Sequence, residues 1–91
     1  MSSIHHDKEF YEIADEHITL CNAHMGKIMP AKVSAAMLFA ASRFNAFVIM
    51  AASENKAEML AQKEAAIAFF LNEYETNLRE NIDEHLKRYD N

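Results

Sequence analysis

The 91 residues carry a net charge of −5, with one glycine, one proline and one cysteine, and half of them are hydrophobic. So few chain breakers exclude a β-sandwich or barrel, which needs a turn signal every few residues, and a lone Cys21 excludes an internal disulfide. The acidity is concentrated in residues 53–91, nine acids against five bases, which repels a phosphate backbone, and no basic stripe of the kind nucleic-acid binders carry is present.

What remains is one all-α domain over residues 1–91, rich in Ala, Leu, Met and Glu. The polar start, Met1 to Glu9, lacks the apolar centre of a signal peptide, and the expected location is the cytoplasm.

The first helix is predicted from about Asp7, as N-cap, to Met25. Phe10, Ile13, His17, Leu20 and His24 recur at helical spacing, and Ala14 and Cys21 widen that face. Gly26 fits the position after a helix end where a left-handed backbone is needed, and Pro30 fits the first turn of the next helix.

The second helix is predicted from Pro30 to Ala52. Val33, Met37, Ala40, Phe44, Phe47 and Ala51 form one stripe, and further apolar residues surround it. Its length suits a membrane span, but Arg43 and Asn45 sit in its middle, where a charge in a bilayer would cost ~3 kcal/mol or more. The reading is therefore a buried core helix and no membrane contact.

The third helix begins at Asn55, with Glu58 three residues on as a capping pair, and meets no Gly or Pro to the chain end. Leu60, Ile67, Leu71, Tyr74, Leu78, Ile82, His85 and Tyr89 follow helical spacing. At over 30 residues, roughly 50 Å at the helical rise, it would overhang the two shorter helices of an antiparallel three-helix bundle. The overhang carries Leu78, Ile82, Leu86 and Tyr89. Either the helix breaks near Asn77, where Glu80 offers a second capping signal, and folds back as a short fourth helix, or a second copy of the chain covers the stripe in a homodimer.

Two constellations carry chemistry. His17, Cys21 and His24 share one helix face, and His and Cys are zinc and copper ligands. The same positions are the helix's core-facing stripe, and the second helix offers no fourth ligand, so a core role outweighs a metal site or a thiol–imidazole pair. Arg43 within apolar surroundings calls for a carboxylate, with Asp15, Glu12 and Glu64 in reach, which reads as a polar clamp fixing helix register. No phosphate-binding loop, nucleophile elbow or metalloprotease pair is present, so no catalytic residue and no cofactor is assigned. Phe69 and Phe70 point about 100° apart on a helix, and one of them is expected outside the core.

The runs Lys32-Val33-Ser34-Ala35-Ala36 and Phe39-Ala40-Ala41-Ser42-Arg43-Phe44-Asn45-Ala46-Phe47 resemble a family of short uncharacterised proteobacterial proteins, a domain of unknown function. Phe10-Tyr11, Ala14-Asp15, Ile18, Phe70, Tyr74 and Glu80-Asn81-Ile82 extend the resemblance along nearly the whole chain. It implies a helical cytoplasmic protein and transfers no activity, cofactor or catalytic residue. The expectation is a small non-catalytic module that self-associates and binds a protein or a small ligand. The alternative is a small metal protein or enzyme using His17, Cys21 and His24.

Overall fold

A computed structural model describes residues 5–89; residues 1–4 and 90–91, and with them part of the polar start discussed above, lie outside the description. Three long helices follow in order, α1 (Lys8–His24), α2 (Pro30–Ala52) and α3 (Lys56–Leu86), closed by a 3₁₀ turn, Lys87–Tyr89. The protein is all-α, and no strand occurs among the described residues.

Each helix limit is set by local chemistry. Asp7 caps α1 in an extended conformation, its carboxylate accepting from the Phe10 N–H at 2.9 Å. The His6 ring stacks on Phe10 at 4.1 Å and meets the edge of Tyr11, bracing the entry of the chain. At the other end the Met25 N–H donates to the carbonyls of Cys21 and Asn22. Gly26 then turns the chain at φ 94°, a left-handed conformation that a β-carbon disfavours. The Ile28 N–H returns to the His24 carbonyl at 3.0 Å, and Met29 opens α2 by accepting from Lys32 and Val33.

α2 ends where the Ser53 hydroxyl donates back to the Ile49 carbonyl at 2.8 Å. Asn55 then caps α3, its side-chain oxygen accepting from the Glu58 N–H at 2.9 Å. The Glu58 carboxylate reaches back to the N–H of Glu54, one residue before the cap, so the reciprocal half of the pair is displaced by one position.

The chain divides into two compact units, Met1–Asn45 and Ala46–Asn91. In the first, α1 folds back along the start of α2, and the Cys21 thiol donates to the Met37 sulfur at 3.0 Å. Phe10, Ala14 and Cys21 are the half-buried ridge of α1, and Val33 is buried on α2. In the second unit Ile49 and Ala66 are buried, and Met59, Phe69, Phe70 and Asn77 are half-buried. Phe69 and Phe70 meet edge to face at 5.5 Å, so neither is left outside.

Three expectations need correction. α3 does not break at Asn77: it runs unbroken to Leu86, and the Asn81 amide donates to the Asn77 carbonyl within the helix. With apolar residues at helical spacing on both sides of Asn77 and no breaker near it, continuing the ladder satisfies more backbone groups than a new cap would. α2 is not a buried core helix, since Val33 and Ile49 are its buried residues while Leu38, Phe39, Val48 and Met50 are exposed. The ridge of α3 that is covered is Met59, Ala66, Phe70 and Asn77, about 100° around the helix from the stripe of large side chains read from the sequence.

Candidate functional site

The large apolar residues of α3 form an open face. Leu60, Ile67, Leu71, Tyr74, Leu78, Ile82 and Leu86 fall on one side of the helix, and each is exposed. Leu78 is 43% exposed, Ile82 49%, Leu86 53% and Tyr89 85%. On the flanks of this face Arg79 donates to Glu75 at 2.7 Å, and Asn81 is engaged with the Asn77 carbonyl. The hydrogen bond and charge of Glu75, with the Asp83 carboxylate nearby, hold the Arg79 guanidinium above its ordinary range, so it keeps its charge.

α2 presents a second open surface. Over its most apolar 18 residues the mean hydropathy reaches 1.6, and 6% of that stretch is buried. It is long and apolar enough to cross a membrane.

The residues singled out for chemistry are engaged in local contacts. His17 places Nδ1 2.8 Å from the Ile13 carbonyl oxygen, one turn back on the same helix. Cys21 is half-buried against Met37, and His24 closes the last turn of α1, where a basic group suits the helix end. Among the described residues, no group of three or more His, Cys, Asp and Glu is arranged to hold a metal ion.

Within its own unit Arg43 forms no ion pair with Asp15 or Glu12 among the described residues. The ion pairs among the described residues are Lys8–Glu12, Arg79–Glu75 and Lys87–Glu84. Glu12 is thus paired on its own helix, Asp15 forms no ion pair with Arg43, and Glu64 lies in the other unit. Arg43 sits with its guanidinium 5.8 Å from the Phe39 ring centre. The expectation rested on burial; an exposed guanidinium keeps its hydration and requires no counter-ion.

An open depression of about 370 Å³ lies at the turn between α2 and α3, lined by Met50, Ser53, Asn55 and Met59 among others. Ser53 and Asn55 are committed to capping there, so their polar atoms are spent on the backbone. Glu54 and Lys56 complete the lining of the depression.

The sequence missed the covered ridge of α3. Its residues Met59, Ala66 and Phe70 do recur at helical spacing, but Ala66 and Asn77 weigh little beside the leucines on the adjacent face.

Fold and surface together define a class: a small, three-helix, all-α protein whose largest side chains remain open on two helices. The chain belongs to a family described as protein of unknown function (DUF3144), whose sequence profile matches residues 10–86. Among curated proteins and among solved structures, none matches it.

Proposed function

We propose that the protein is a non-catalytic assembly module of the cytoplasm that works as a homodimer and acts by binding a protein or a small ligand. The observation that carries this reading is the apolar surface left open along α2 and the second half of α3. Soluble monomers rarely expose contiguous apolar patches above a few hundred Å². Burial in a symmetric dimer is the commonest remedy, with the same patch used on both chains. The positions with reactive side chains, His17 and Cys21, are occupied by packing and backbone contacts, which supports binding over catalysis.

Sedimentation of the purified chain at low micromolar concentration, paired with flotation on lipid vesicles, tests this. A dimer that stays out of the vesicle fraction is expected. A monomer that floats with lipid would replace assembly by membrane association through α2, and a monomer in solution without lipid binding would remove the proposal.

A further inference from the structure

The exposed stripe at the end of α3 has an internal symmetry. Leu71, Tyr74 and Leu78 lie nine, six and two residues before Glu80, and Ile82, Leu86 and Tyr89 lie two, six and nine residues after it. All six are exposed, and five of them stand on an unbroken helix. Tyr89 follows on the 3₁₀ turn, which places it over Leu86 three residues earlier.

We infer that α3 pairs with α3 of a second copy, the two helices running antiparallel across a two-fold axis at the level of Glu80. This rests on the assembly reading above and adds the surface, the direction and the register. Around such an axis Leu78 meets Ile82 of the second copy, Tyr74 meets Leu86 and Leu71 meets Tyr89, and each contact occurs twice, as an isologous interface requires. A parallel pairing needs no such mirror spacing. The steps of three, four, four, four and three cover 18 residues in five turns, the period of a straight helix, so the stripe stays on one face along its length.

Charge agrees with the antiparallel direction. Glu73, Glu75, Glu80, Asp83 and Glu84 crowd the middle of the segment, and Lys87 and Arg88 end it. In register and parallel, each acidic residue would lie level with its own copy. About Glu80 the two helix dipoles oppose, while Glu73 and Lys87 share the outer face of Glu80 and Lys87 is paired with Glu84 on its own helix. The flanks of the seam are already neutral, Glu75 with Arg79 on one side and the Asn81 amide on the other. The stripe spans about 27 Å of helix, and all six of its apolar residues are exposed.

Spin labels on single cysteines, in a Cys21→Ser background of the full chain, test the register. Asn81→Cys places a label beside the axis and Arg88→Cys places one near the helix end. Glu80→Cys, on the face turned away from the seam, serves where a label at Asn81 disturbs pairing. The interchain distance is expected to be shortest at residue 80 or 81. At residue 88 the two labels should be further separated by about 24 Å along the axis. A dimer with equal distances at both ends would be parallel, and a dimer without a minimum near Glu80 would be held by another surface such as α2. Either result overturns the register and leaves the assembly reading in place. A monomer by sedimentation, with no interchain distance at all, overturns both.

Discussion

The two halves of α3 are equally helical and differently supported. From Lys56 to Phe70 the helix buries Ala66, half-buries Met59, Phe69 and Phe70, and starts on a capped Asn55. From Leu71 to Leu86 its own chain half-buries Asn77 alone, and the remaining contacts are local: Arg79 with Glu75 and Asn81 with the Asn77 carbonyl. Local pairs of this kind contribute only tenths of a kcal/mol, and a helix of this length without packing is marginal in water. The comparison teaches that the second half carries apolar residues with the size and spacing of a core and leaves them exposed, which is the observation behind the proposed pairing.

The strongest way to break the comparison is to charge the second half. Leu78→Asp or Ile82→Asp removes a side chain whose cover is worth ~1.5–3 kcal/mol on each copy and places a carboxylate in an apolar seam. The expected product is a monomer whose helix content falls mainly after residue 71. Sedimentation and circular dichroism at matched concentration read both effects. A wild-type protein that is itself monomeric would show that the second half stands without a partner.

Within the first unit, Gly26→Ala probes the turn between α1 and α2. No atom lies within 4 Å of the added methyl, so sterics contribute nothing and the cost is the left-handed backbone alone. A loss of about 1–2 kcal/mol is expected, read from the denaturant midpoint. An unchanged midpoint would mean the turn does not hold its positive φ. A smaller loss, about 1 kcal/mol, is expected for Asn55→Ala, which frees the Glu58 N–H at the start of the well-supported half of α3. The same change should leave the dimer intact, because the cap lies far along the helix from Glu80.

Helix limits were legible in the sequence because Asp7, Gly26, Pro30 and Asn55 act on backbone groups within four residues. The ridge that each helix buries was not. α3 has two apolar faces, and hydropathy favours the one with Leu60, Leu71 and Leu78 because those side chains are larger. The chain instead covers Met59, Ala66 and Phe70, with Ala66 buried and the other two half-buried. The sequence did mark the stripe ending at Tyr89 as a surface in need of cover, because reach along a helix follows from residue count alone. Arg43 was misjudged for a related reason: apolar neighbours in sequence were taken for burial in space.

Arg43 gives the smallest effect on stability and the sharpest test of α2. Its guanidinium is exposed over the Phe39 ring, an arrangement worth roughly 0.5–1 kcal/mol at exposed sites. Arg43→Met exchanges that contact for apolar bulk, and the net change in stability should stay within about 0.5 kcal/mol. A loss of several kcal/mol would instead reveal a carboxylate partner after all. The same variant separates the two ways of covering α2. Arg43 is the one charge in the middle of that helix, with Lys32 near its start. If the open face of α2 met a bilayer, removing a mid-membrane charge that costs ~3 kcal/mol would raise vesicle binding by a large factor. If protein covers α2, flotation should not change. We expect no change, because the proposed seam along α3 would account for association without α2, and Asn45 still interrupts the apolar run.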